Sequence, residues 1–294
     1  MVLGAVPRRL GRQAVAFCLF RPLPLCDDPS VVELSIGIAG LRTAVVTRDP
    51  DVATVVRDRY EGFLSTGPAD WRIEISPPSG GVPFSKDVVV RRDGGPARFS
   101  VRRHDFAGTV DLGERTADLT LTSPDDVSVN SFLRILYSLA LVEARGLVLH
   151  AASLIRDGGA YLFSGPSGSG KTTVARLSTD ATLLSDELSI VRIAEGHAMC
   201  FGTPFRGELA LAGEDRAAPL VGIYFLHHGG RHAVEALGPK EALARLLPNV
   251  LFFAREADVT AAVFHIAADL VEAVPCFDLS FRPDPGFWEV IRNA

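Results

Sequence analysis

The chain predicts an α/β phosphate-loop domain in its C-terminal part, preceded by a smaller α+β domain. Three observations carry this reading. The run Gly165-Pro166-Ser167-Gly168-Ser169-Gly170-Lys171-Thr172 fits the pattern G-x-x-x-x-G-K-[ST]. Gly159 to Ser164 before it reads as a short buried strand, and Thr173 to Leu177 after it as the start of a helix. Strand, glycine loop, helix is the context such a loop requires. The first half, by contrast, mixes strand and helix signals and carries no chemical motif.

The glycine run has a physical reading of its own. Glycines reach backbone conformations closed to other residues, so several N–H groups can converge on one anion. The partial positive charge of a helix N-terminus adds to this. Lys171 would reach the β- and γ-phosphates, the Thr172 hydroxyl would ligate magnesium, and Thr173 completes the cradle. Lysine is scarce elsewhere: Lys86 and Lys240 are the others in 294 residues.

Each element follows from local pattern. Val31 to Ile38 and Leu41 to Val46 read as strands joined near Gly40. Asp51 to Phe63 reads as a helix capped by Asp51, and Trp71 to Ile75 alternates like a half-buried strand. Ser76 to Val82 is a proline- and glycine-rich loop. Val88 to Val90, Ala97 to Val101 and Leu119 to Leu121 suggest an antiparallel meander, with His104 and Asp105 in a solvated turn. The domain boundary is placed near Ser123-Pro124-Asp125-Asp126, giving 1–127 and 128–294. Phe132, Ile135, Leu136, Leu139 and Ala140 then recur at helical spacing until Gly146.

Leu147 to Ile155 reads as a strand turned back by Asp157-Gly158. Ala181 to Ser185, Leu188 to Ile193, His197 to Phe201, Leu220 to Leu226 and Phe277 to Phe281 are further strands. Lys240 to Leu247, Ala257 to Val274 and Phe287 to Arg292 are helices. Phe252, Phe253 and Phe264 are expected in the core.

A hydrophobic fraction of 47% supports a real core, and a net charge of −5 gives no general attraction to nucleic acid or anionic membrane. Cys18, Cys26, Cys200 and Cys276 lack metal-type spacing and fit reduced, buried thiols. Arg8, Arg9 and Arg12 before Ala14 to Phe20 imitate a signal peptide only faintly, since Arg21 ends the short apolar run. The expectation is a cytoplasmic protein whose first 28 or so residues form a disordered leader. A homo-oligomer is left open.

Seven further residues stand out. Asp186 and Glu187 end an apolar strand after the loop helix, where such proteins place a magnesium-binding acid. One could hold the metal and the other accept a proton. His150 lies on the strand expected to pair with the one leading into the loop. Arg206, among turn residues, could stabilise phosphoryl charge or form a surface pair. His227-His228-Gly229-Gly230 with His232 invites a metal reading, yet no nearby ligand completes it, and a polar turn is favoured.

Together these residues resemble the catalytic domain of the HPr kinase/phosphorylase family, which is related to ATP-dependent phosphoenolpyruvate carboxykinases. The resemblance covers roughly residues 128–294. It rests on His150, fifteen residues before Gly165, on Asp186 and Glu187 after the loop, and on Arg206-Gly207. Glu187 stands where the family has a second aspartate. The resemblance implies an α/β P-loop kinase domain of that type, ATP and magnesium as cofactors, and a serine acceptor on a protein or peptide. It implies Asp186 as base, Glu187 as a magnesium ligand, Arg206 as a stabiliser of the transferred group, and His150 as an assisting residue. Two other classes stay open: a non-catalytic nucleotide-binding module, and a small-molecule or carboxykinase-like kinase. No N-K-x-D guanine signature is present.

Overall fold

A computed structural model describes Asp28, residues 30–77 and residues 87–294. The apolar run at 14–20 with its arginines, Cys18, Cys26, Lys86 and most of the loop from Ser76 to Val82 lie outside the described residues. The chain is mixed α/β and builds two sheets.

The first sheet has seven strands in the order β1-β2-β3-β7-β6-β5-β4. Strands β1 (Val32–Ile38) and β2 (Leu41–Thr47) form a hairpin. Its two turn residues, Ala39 and Gly40, both have positive φ, 52° and 77°, as a tight hairpin turn demands. Helix α1 (Pro50–Arg59) follows. Its cap is Asp49, not Asp51: the Asp49 carboxylate accepts the N–H groups of Asp51 and Val52. Pro50, with no N–H to satisfy and a preset φ, takes the first helical position. Strand β3 (Trp71–Ser76) lies parallel to β2 and to β7, so the sheet is mixed.

The meander is longer than the sequence suggested. It runs through β4 (Val89–Arg92), β5 (Arg98–Arg102), β6 (Phe106–Asp111) and β7 (Thr116–Leu121). Asp105 is no solvated turn residue. Its carboxylate binds the Arg103 guanidinium, and the Ser128 hydroxyl donates to it at 2.7 Å. The turn between β5 and β6 is thereby tied to the first turn of α2 (Asp126–Glu143).

Helix α2 shares a core with both sheets. Val129, Phe132, Leu133 and Leu136 pack in one cluster with Ile73, Phe99 and Phe106 from the first sheet and Val148, Leu188 and Ile190 from the second. Two buried hydrogen bonds fix its rotation: Tyr137 with Thr43 at 2.9 Å, and Tyr60 to Asn130 at 3.2 Å. The division at 127–128 therefore falls in the first turn of a helix that serves both halves.

The second sheet follows the path β10-β8-β11-β12-β13-β15-β14, with β9 set between β8 and β13. Its first strands are β8 (Gly146–Arg156), β9 (Gly159–Ser164), β10 (Thr182–Ser185), β11 (Leu188–Ala194) and β12 (His197–Phe201). The later ones are β13 (Ala217–His228), β14 (Ala233–Leu237) and β15 (Cys276–Phe281). Strands β8, β11, β12, β13 and β9 pair in succession, and β9 returns to β8, so these five close into a ring. Strand β14, with no buried residue and at the sheet edge, was not expected.

Alternation along β9 and β13 divides the packing between two faces. Ala160, Leu162, Ile223 and Phe225 pack toward α4 (Pro239–Leu246) and α5 (Ala257–Ala273). Phe163, Tyr224 and Leu226 pack toward α3 (Lys171–Leu177) and α6 (Phe287–Arg292). Phe163 stacks on Tyr224 at 5.5 Å and meets Trp288 edge-on at 5.7 Å. Phe252 and Phe253 lie in an extended segment and are partly buried against the core, whereas Phe264 is 46% exposed and is not a core residue. Cys200 and Cys276 are buried free thiols, and burial pushes both up to about 12.

Candidate active site

The glycine loop leaves β9 at Ser164 and enters α3 at Lys171. Gly165 and Gly170 take φ of 153° and 103°, where a side chain is strained. Space also excludes one: a Cβ on Gly165 would stand 2.7 Å from Ser169 Oγ, and on Gly170 2.4 Å from Phe281 Cζ. The Ser169 N–H closes the loop onto the carbonyl of Pro166. Lys171 donates to the carbonyls of Gly165 at 2.8 Å and Pro166 at 3.0 Å. Burial lowers the Lys171 pKa, and the carboxylates of Glu187 and Glu208 oppose that shift.

Strands β10 and β11 run along one edge of β8, and the pairing breaks between Ser185 and Leu188. Ser185 Oγ stabilises the break by accepting the N–H groups of Glu187 and Leu188. Asp186 and Glu187 project from this interruption. Asp186 is buried, with Oδ1 accepting Gly207 N–H at 2.9 Å and Oδ2 accepting Leu209 N–H at 2.8 Å. Glu187 Oε1 lies 3.9 Å from Nδ1 of His150.

His150 sits on β8 opposite Leu188, one residue before the Ala151 that pairs with Ser164 at the root of the loop. Burial lowers its pKa, reinforced by Lys171 and Arg134 and opposed by Glu187.

One cavity of about 490 Å³ collects these groups. Its lining includes Gly165, Pro166, Ser167, Gly168, Gly170, Lys171, Thr172 and Thr173 together with His150, Asp186 and Glu187. Ser169 is buried behind the loop, its Oγ without a hydrogen-bond partner. Arg206 does not line the cavity. Its carbonyl accepts from Arg134 at 3.4 Å, and its Nε is enclosed without a partner.

Four lining residues were not foreseen as part of the site: Glu208, His228, Pro248 and Asn249. The ring of His228 stacks on Phe281, and its Nε2 donates to the Gly168 carbonyl at 2.8 Å. The neighbouring histidines serve elsewhere: His227 pairs with Asp278 and His232 with Asp284. Among the described residues, no three His, Cys, Asp or Glu side chains are grouped to hold a metal. Thr172 and Glu187 do offer two oxygen donors to the same cavity as Lys171, a set that suits a hard cation shared with phosphate oxygens.

Fold and cavity define a mixed α/β protein whose glycine loop and lysine face acidic and imidazole side chains across one cleft. The family described as SynChlorMet cassette protein ScmC matches residues 117–294, more than half of the chain, and the chain belongs to that family. No curated protein matches it. Among solved structures it is similar to the Hpr(Ser) kinase/phosphatase from Coxiella burnetii, at 11% identity over 50% of this chain and 94% of that one. The TM-score is 0.29. No described helix is long and apolar enough to cross a membrane.

Proposed function

We propose that the protein binds ATP with magnesium and transfers the γ-phosphoryl group to a hydroxyl, most simply a serine on a protein or peptide. One observation carries the reading: the glycine loop, Lys171, Thr172, Glu187 and His150 line a single cavity. Lys171 would exchange the loop carbonyls for phosphate oxygens, a stronger charge-assisted contact. Thr172 and Glu187 would hold magnesium, which supplies charge neutralisation when bound. His150, its pKa lowered by burial, would offer a hydrogen bond beside the metal. The acceptor hydroxyl would give its proton to a carboxylate of the cavity. Positioning and fixed charge would provide most of the acceleration.

Calorimetry with ATP and magnesium, followed by detection of ADP and of phosphoserine on candidate peptides, tests this reading. A nucleotide-binding module without transfer is the second reading. It is favoured by Asp186, whose oxygens both serve the backbone, and by Arg206 lying outside the cavity. ATP binding with no ADP formed on any acceptor would select it.

A further inference from the structure

Asp186 and Glu208 are linked by chain geometry. The two N–H groups that bind the Asp186 carboxylate belong to Gly207 and Leu209, the residues on either side of Glu208. Asp186 is buried and each oxygen takes one of them, so the carboxylate holds this short stretch by both ends. Gly207 fits against it closely: a Cβ there would stand 2.8 Å from Asp186 Oδ2 and 2.7 Å from Glu187 Cβ. Between the two clamped amides, Glu208 lines the cavity with Lys171 and Glu187.

We propose that Asp186 is a positioning residue that fixes the backbone around Glu208, and that Glu208 is a specificity-determining carboxylate facing the phosphate loop. Resting on the nucleotide reading above, the proposal gives the site a preferred substrate form. Among the residues lining the cavity, the carboxylates of Asp186, Glu187 and Glu208 stand against the single ammonium of Lys171. A bare nucleotide polyanion is repelled by this balance. A nucleotide carrying a divalent cation is accepted, because the cation restores the deficit. Glu208 thus makes binding conditional on the metal.

Calorimetry of ATP with EDTA and with magnesium, on the full chain and on Glu208→Gln, reads this directly. The unaltered protein should prefer the magnesium form, and Glu208→Gln should tighten metal-free ATP about tenfold and narrow the gap. An unchanged ratio overturns the role of Glu208. Hydrogen exchange on Asp186→Asn reads the clamp without any nucleotide. An amide side chain has one acceptor oxygen instead of two, so exchange at residues 207–209 should rise while the rest of the chain stays protected. Gly207→Ala, which displaces the same backbone sterically, should raise it as well and narrow the metal gap like Glu208→Gln. Unchanged exchange in both variants overturns the clamp. Failure of the unaltered protein to bind ATP in either condition overturns the nucleotide reading and the charge role with it, while the exchange result still judges the clamp.

Discussion

The ammonium of Lys171 lies 2.8 Å from the carbonyl oxygen of Gly165, at the opposite end of the loop that it closes. The lysine thus braces the curved backbone that it would help to load. Phosphate oxygens must displace the two carbonyls it holds, and the gain is the difference between an anionic and a neutral acceptor.

Lys171→Ala is therefore expected to weaken ATP binding by about 100-fold, from the loss of charge-assisted contacts. Its effect on thermal stability should be small, because the ammonium is not part of an apolar cluster. Calorimetry and a melting curve on the same sample check both halves. A folded variant with unaltered affinity removes Lys171 from the site.

Gly170→Ala should be the most damaging small change in the loop. It combines a φ of 103° with a Cβ that would sit 2.4 Å from Phe281. Strain and overpacking together predict a loss of about 2–4 kcal/mol in urea unfolding. Gly168→Ala meets nothing within 4 Å and carries only its φ of 80°, so about 1 kcal/mol is expected. Equal costs for the two would contradict the packing of Phe281 under the loop.

His228 holds the loop from outside through its bond to the Gly168 carbonyl. His228→Ala should lower ATP affinity about five- to tenfold by releasing that carbonyl, with the fold retained. His228→Gln, which still offers an N–H donor, should recover part of the loss. Affinity titrations of both variants decide it, and a His228→Ala protein that binds as tightly as the parent sinks the idea.

Asp105 gives a pH prediction outside the site. Burial raises its pKa, but the bonds from Arg103 and Ser128 outweigh this and bring it down to about 2. The unfolded value lies near 4. A depressed folded value means stability that is present above about pH 4 and lost as pH falls through 2. Asp105→Asn should thus melt below the parent at neutral pH, with the difference shrinking between pH 4 and 2. Melting temperatures across that range test it; a difference independent of pH would mean that the carboxylate charge is not what ties β5 and β6 to α2.

The glycine loop was legible in the sequence because its constraint is local: each glycine answers a nearby backbone need. The strands around it were legible from apolar runs. Strand β6 was not, because Gly108 dilutes its pattern. That glycine is dictated by distant parts of the chain: a Cβ there would stand 2.3 Å from the Asp118 carbonyl and 2.8 Å from Phe132 of α2. Strand β14 escaped because an exposed edge strand needs no apolar alternation. The cap of α1 could have been read, since Pro50 marks a first helical position and makes Asp49 the cap. Glu208 could not: its place in the cavity is set by hydrogen bonds its neighbours make to a residue some twenty positions earlier. His228 sat in a histidine cluster whose members face three different partners, so the cluster itself carried no signal.

Strand β8 is paired along both edges for most of its length: with β11 and β10 on one side, and with β9 and the Leu149–Val250 bridge on the other. It also carries His150 and leads, through a two-residue turn, into the strand that launches the glycine loop. A residue inserted or deleted within β8, between Gly146 and Ile155, would have no slack to absorb it. Every side chain beyond the change would swap faces, and His150 would lose its registry with the loop. This strand therefore tolerates substitution but not a change of length, whereas the exposed hairpin tips at Asp157-Gly158 and Glu195-Gly196, where a Cβ on either glycine meets nothing within 4 Å, have room for one.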